Sequence, residues 1–220
     1  MKTRRQFIKS SVKFLSGLVM FFGTIGAWLE KVYAQAKRVL VPKGTDLSSL
    51  RNENPATLDT RDLEVLPLKA FETMGQTDHK VDLKSWRLLI EGNVATPIQL
   101  PYSRIIELPS IERKVLLICP GIFTNHGNWK GISLMTVLNL AGIKADTTDI
   151  IVSGPQGAYE KVEKFPIGDI RSDKVFLAYQ VNGQRLPQKH GFPLRIVAED
   201  YYGDEWVKYV YKVEAIKVTS

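Results

Sequence analysis

The chain has 220 residues, with 30 Lys and Arg against 23 Asp and Glu and a formal net charge of +7. Residues 1–36 hold six of the cations and one acid, a local +5, which leaves +2 on the rest of the chain. With that balance, and with no basic stripe or stacking motif, a nucleic-acid partner is excluded as a reading of the charge. The length suits one domain with a sizeable core.

The N-terminus reads as a targeting segment. Thr3-Arg4-Arg5-Gln6-Phe7-Ile8-Lys9 has the form of a twin-arginine export motif, an apolar stretch runs from about Phe14 to Trp28, and Ala34-Gln35-Ala36 supplies a small-residue cleavage site. Ser16, Gly17, Gly23 and Gly26 interrupt the stretch, which is short for a membrane span. Cleavage after Ala36 is expected, with retention as an anchor as the other reading. The expected location is the periplasm, or another compartment reached by the twin-arginine route.

Residues 37–59 form an expected extended arm, rich in turn formers such as Pro42-Lys43-Gly44 and Asn52-Glu53-Asn54-Pro55, and residues 60–220 form the domain. Trp86–Ile90 reads as a strand closed by Gly92-Asn93. Ser103 is placed to cap a short helix running to Leu108. The apolar run Val115-Leu116-Leu117-Ile118 suits a strand buried on both faces, and it ends at Cys119, where Pro120-Gly121 opens a loop. Ser133 starts a helix with Leu134, Val137, Leu138 and Ala141 on one face, and Gly142 stops it. Asp149–Val152, Val175–Val181, Leu194–Ala198 and Tyr209–Val218 complete the strands, with Asn182-Gly183 as a type I′ turn signal. Strands outnumber helices and the two do not alternate. This pattern indicates an α+β domain with a β-rich mixed sheet rather than a doubly wound one.

Cys119 is the sole cysteine, so an internal disulfide is impossible. The residue is then an inert buried thiol, an intermolecular linker, a reactive thiol or a metal ligand, and export of an already folded chain favours the ligand. A second concentration of chemistry lies in Lys189-His190-Gly191-Phe192-Pro193-Leu194-Arg195, followed by Trp206-Val207-Lys208. His190 and Arg195 flank a turn and can serve one anionic ligand; a solvated basic turn is the plain alternative.

These segments, in this order, resemble the molybdopterin-binding domain of the sulfite oxidase family. The resemblance is carried by Leu116–Cys119, Trp129-Lys130-Gly131 at the opening of a helix, Phe176–Gly183, Lys189–Arg195 and Trp206–Lys208. It implies a molybdenum–molybdopterin cofactor with Cys119 as the metal's thiolate ligand. It further implies that Ser153, His190, Arg195, Trp206, Val207 and Lys208 bind the pterin and its phosphate, and that Tyr159 lies on the substrate side. His126, seven residues after Cys119, is a candidate proton donor or substrate contact. The loop 120–128 lacks the arginines with which sulfite oxidases hold their anionic substrate. A sulfite substrate is therefore not expected, and the short spacing from Cys119 to Trp129 together with the twin-arginine leader looks closer to the periplasmic protein-methionine-sulfoxide reductase type. Expected partners are a small-molecule or protein-bound oxide and a separate redox protein, a membrane haem protein or a soluble cytochrome, acting on a monomer. Other readings are a small blue-copper carrier recruiting Cys119, His126, Met135 and His79 or His190, a cofactor-free binding protein on the same fold, and a thiol enzyme using Cys119 and His126.

Overall fold

A computed structural model describes residues 38–157 and 160–218. The twin-arginine segment and Tyr159 lie outside the described residues. Two short strands, β1 (Val39–Leu40) and β2 (Leu58–Asp59), precede the main body.

Two five-stranded sheets build the domain. The first contains β5 (Ser110–Cys119), β6 (Phe123–Ser133), β9 (Val175–Val181), β10 (Gln184–Arg185) and β11 (Arg195–Ala198). All its pairings are antiparallel, in the order β10-β9-β6-β5, with β11 also on β9. The second runs β4 (Ile98–Pro101), β3 (Arg87–Gly92), β12 (Lys212–Ile216), β7 (Asp149–Ser153) and β8 (Val162–Pro166). Here β3 and β12 are parallel and the other pairs antiparallel, so the expected mixed, β-rich α+β architecture is present. Both sheets feed one apolar core with α1 (Tyr102–Ile105), α2 (Leu134–Leu140) and α3 (Ile167–Arg171).

Strand β5 is buried on both faces toward its C-terminal end, as its unbroken apolar run requires. Val115, Leu117 and Cys119 face the main core. Leu116 and Ile118 face the other way and pack beneath Val41, Leu50, Leu58 and Leu63 of the N-terminal arm. Burying Leu116 and Ile118 there contributes about 1.5–3 kcal/mol each.

The expected loop after Cys119 is instead a tight hairpin. Gly121 takes φ +72, the Ile122 N–H donates to Cys119 O at 3.0 Å, and β6 begins at Phe123. Asn, His and Gly are poor strand formers, which hides β6 in the sequence. It is held by its full ladder with β5 and by side chains bonding to the arm, such as Thr124 Oγ1 donating to Leu47 O at 2.6 Å. Trp129-Lys130-Gly131 is likewise inside β6 rather than at a helix start. A bulge falls at Lys130/Gly131, where a Cβ on Gly131 would sit 1.8 Å from Leu177 O. The helix begins at Leu134, its Ser133 cap accepting from the Met135 N–H, and Gly142 at φ +71 follows its end. Pro101, not Ser103, precedes α1, which is shorter than expected.

Candidate active site

The tightness of the β5–β6 hairpin places the Cys119 thiol at the end of a core strand, 5% exposed, on the wall of a cleft of about 330 Å³. Leu117 and Phe123 form the apolar part of that wall. Trp206, Lys208 and Tyr209 also line it, and Asp204, Glu160 and Lys161 complete the charged lining. Burial, and after it the Asp204 charge, raise the Cys119 thiol above its ordinary value.

A strap, residues 72–76, closes one side of the cleft. Asn125 fixes it at Glu72: its Nδ2 donates to Glu72 O at 2.8 Å and its Oδ1 accepts from the Glu72 N–H at 3.1 Å. Lys208 fixes the other end, with Nζ donating to Gln76 O at 2.5 Å, Met74 O at 2.8 Å and Thr73 Oγ1 at 3.3 Å. The Tyr209 hydroxyl donates to Gln76 O at 3.3 Å. Sequence reasoning missed Thr73, Gln76, Asp204 and Tyr209. The strap has no periodicity to flag it, but Asp204 and Tyr209 adjoin the Trp206–Lys208 segment and could have been found there.

Behind Lys208 lie a buried guanidinium, Arg195, and a buried imidazole, His190. Gly191, at φ +105, is the joint: a Cβ there would lie 3.0 Å from Lys208 Cβ and 3.2 Å from Arg195 Cβ. Only glycine lets these two stems come so close. Arg195 is 4% exposed, donates from Nη1 to His190 O at 3.1 Å, and lies over the rings of Trp129 and Trp206 at 5.0 and 5.3 Å. It forms no ion pair with any described residue. His190 is 1% exposed and its Nε2 has no partner. Burial holds Arg195 down at about 9. Burial and then Arg195 bring Lys208 to about 8. Burial, then Arg195, Lys189 and Lys208, bring His190 to about 4. A buried guanidinium beside Lys208 with no counter-ion is unfavourable by itself and is relieved by an anionic ligand.

That arrangement has a pH consequence in the cofactor-free chain. The unfolded state binds the His190 proton below pH about 6.5, the folded state only below about 4. Between these values the unfolded chain holds more protons, so stability rises with pH. The contribution is complete above pH about 6.5 and is lost as pH falls through about 4. His190→Gln should flatten this acid limb by up to about 3 kcal/mol in denaturant titrations from pH 4 to 7; an unchanged limb would mean the imidazole is not held neutral.

The structure brings Cys119, Trp206 and Lys208 into one cleft and separates the other expected residues from it. Arg195 and Val207 are buried behind the lining, the Val207 carbonyl accepting from the Ile196 N–H at 2.8 Å. His190 faces a shallow hollow with Lys69 and Lys189. Ser153 lies in a larger neighbouring cleft of about 730 Å³ that shares Pro155 and Glu160 with the Cys119 cleft.

His126 is a correction. Cys119 pairs with Phe123 and Leu116 with His126, so strand alternation puts His126 on the face opposite the thiol. It is fully buried under the arm, where Nδ1–H donates to Glu64 O at 3.0 Å and its carbonyl accepts from the Leu66 N–H at 2.8 Å. His126 therefore docks the arm and is not a proton donor at the cleft. His126→Ala should cost about 2 kcal/mol and speed proteolysis near residues 60–66 without changing cofactor content. Loss of cofactor in a folded variant would return His126 to the site.

The same register dismantles the copper set and the Cys119–His126 thiol pair. His79, a further copper candidate, hydrogen-bonds Tyr211 Oη at 3.0 Å, and no group of three His, Cys, Asp or Glu able to hold a metal occurs among the described residues.

Comparison with known proteins agrees with this geometry. The family model described as oxidoreductase molybdopterin binding domain matches residues 74–220. The uncharacterized oxidoreductase YuiH of Bacillus subtilis is 28% identical over 129 residues, 58% of this chain and 64% of that protein. A nitrate reductase [NADH] of Brassica napus is 29% identical over 179 residues, 67% of this chain and 19% of that protein. The chain thus spans less than two thirds of the length of either relative. Among solved structures, the sulfane dehydrogenase SoxCD of Paracoccus pantotrophus shares the fold, with a TM-score of 0.60 at 23% identity over 64% of this chain and 40% of that one. The family match begins inside the strap and runs through every strand of both five-stranded sheets, and on that ground the chain belongs to the oxidoreductase molybdopterin-binding domain family.

Proposed function

We propose that the chain is the catalytic domain of an exported molybdenum oxidoreductase that transfers an oxygen atom, reducing a neutral S-oxide or N-oxide in preference to oxidising sulfite. One observation carries this reading: the lone thiol shares its cleft with Lys208, and Lys208 abuts a buried guanidinium and imidazole that have no carboxylate partner. The residues fit the cofactor. A soft thiolate suits a sulfur-ligated metal, and the unpartnered His190 Nε2 and the uncompensated Arg195 suit an anionic pterin phosphate. Cys119 would ligate the metal, and Lys208 and Trp206 would flank the pterin. Arg195 would supply positive potential from behind, and His190 its unpartnered Nε2. When bound, the cofactor supplies a two-electron redox centre.

The chain's own residues do the rest. Leu117, Phe123 and Trp206 exclude water from the wall around the thiol. The strap, pinned by Asn125 and Lys208, closes one flank. No arginine lines the cleft among the described residues, and its two lysines are engaged, Lys161 with Glu163 and Lys208 with the strap oxygens, so an anionic substrate gains little there. Tyr159 stays a candidate substrate contact on sequence grounds. The electron partner in this reading is a separate protein, a membrane haem protein or a soluble cytochrome. The twin-arginine motif at Arg4-Arg5 supports export.

The test is protein matured in a cell that makes molybdopterin. Stoichiometric molybdenum and pterin are expected, with turnover of a neutral S-oxide exceeding sulfite oxidation by about tenfold or more. Copper without pterin would overturn the cofactor reading, and efficient sulfite oxidation at micromolar substrate would overturn the substrate reading.

A further inference from the structure

We infer that Asp204 acts as a charge filter at the Cys119 cleft, a specificity-determining residue that turns away anionic substrates and admits neutral ones. Asp204 sits on the 3-10 turn Gly203–Glu205. That turn lies hard against β5: a Cβ on Gly203 would come 2.7 Å from Leu117 Cδ2 and 3.2 Å from Ile118 O. The close approach brings the turn to the strand end that carries Cys119, and Asp204 lines the same cleft as the thiol.

The Asp204 carboxylate is exposed and forms no ion pair with any described residue. Lys161, on the same lining, is paired with Glu163. Lys208 is enclosed by strap oxygens, and Arg195 is buried and does not line the cleft. Glu160 adds a second negative charge to the lining. Once an anionic cofactor is seated on Lys208, His190 and Arg195, the acids are the uncancelled charges around the thiol. A carboxylate acting across a cleft with apolar walls is felt more strongly than one on an open surface. The sequence shows an absence of arginine after Cys119; the fold adds a charge of the wrong sign for sulfite. As a statement about substrate choice, the inference rests on the proposed reaction at Cys119, but the filter itself can be measured without that reaction.

The experiment uses the full chain made without pterin, in which Cys119 is the only thiol that can react. Its alkylation rates are compared for neutral iodoacetamide and anionic iodoacetate. In both reactions the thiolate sulfur displaces iodide, so the rate ratio isolates reagent charge and cancels the degree of thiol ionisation. Lys208 and Arg195 are uncompensated in this chain, so the readout is the change on substitution: at low salt Asp204→Asn should shift the iodoacetamide-to-iodoacetate ratio toward iodoacetate by about threefold to tenfold relative to wild type, a shift that shrinks at about 1 M salt. Asp204→Glu should keep the wild-type ratio. An equal ratio in wild type and Asp204→Asn overturns the filter. A protein that passes this comparison but carries no molybdenum after maturation with pterin overturns the functional reading and leaves the filter standing. One that carries molybdenum and fails the comparison does the reverse.

Discussion

Cys119→Ser should lower turnover by more than about 100-fold while leaving the fold intact. The residue is nearly isosteric, and the hairpin that positions it is built from backbone: the β5–β6 ladder and the Ile122 N–H to Cys119 O bond. Serine keeps both. What it removes is the soft donor. In the cofactor-free chain, burial and the Asp204 charge keep the thiol protonated at neutral pH, so ligation must drive its deprotonation. A serine hydroxyl ionises far less readily and binds a sulfur-preferring metal poorly. Lys208 and the Arg195 guanidinium behind it are untouched, so pterin should remain bound in part while the metal–thiolate absorption disappears. The measurements are turnover, visible absorption and thermal melting of the purified variant. Wild-type turnover, or an unchanged absorption band, would remove Cys119 from the metal.

The sequence made some of this legible because certain signals are local. Val115–Ile118 is apolar without a break, and its two-faced burial followed directly. Asn182-Gly183 at φ 51 and 72 forms the tight turn its composition announces. Gly142 ends α2 as its position suggested. Strand β6 was hidden because Asn125, His126, Gly127 and Asn128 are poor strand formers, and the segment is held by partners more than 50 residues away in sequence, such as Leu47, Glu64 and Glu72. Reading 120–128 as a loop left His126 free to face the metal; reading it as a strand fixes its face by parity. The cation cluster was found as a motif, yet its depth was not. Sequence spacing cannot say that Arg195 lies over two tryptophan rings while Lys208 reaches the cleft, since Trp129 arrives from a distant part of the chain. The strap was missed for the same reason: Lys208 and Asn125 meet residues 72–76 only through tertiary contacts.

Arg195→Met should move stability and cofactor retention in opposite directions. In the cofactor-free protein the guanidinium is buried without a carboxylate, and burial pulls its ionisation down to about 9. Methionine fills much of the same volume between Trp129 and Trp206 without the desolvated charge. Exchanging a buried charge for a well-packed apolar side chain commonly stabilises by about 1–4 kcal/mol. That figure is a net one, which already counts the loss of bonds such as those to His190 O and Ile196 O and of contacts such as those with the two indole faces. The net expectation is a gain of about 1–2 kcal/mol, or roughly 2–8 °C in melting temperature for a domain of this size. The cofactor-loaded protein should behave differently, because there the charge has a partner. Removing one side of such a charge pair costs about 2–5 kcal/mol, so pterin should be lost on gel filtration at concentrations where the wild type retains it. Arg195→Lys keeps the charge without the planar fork and should fall between the two in retention. A cofactor-free Arg195→Met protein that melts below the wild type, with pterin held as tightly as before, would show that Arg195 is a packing residue and that the cofactor's charge is met elsewhere.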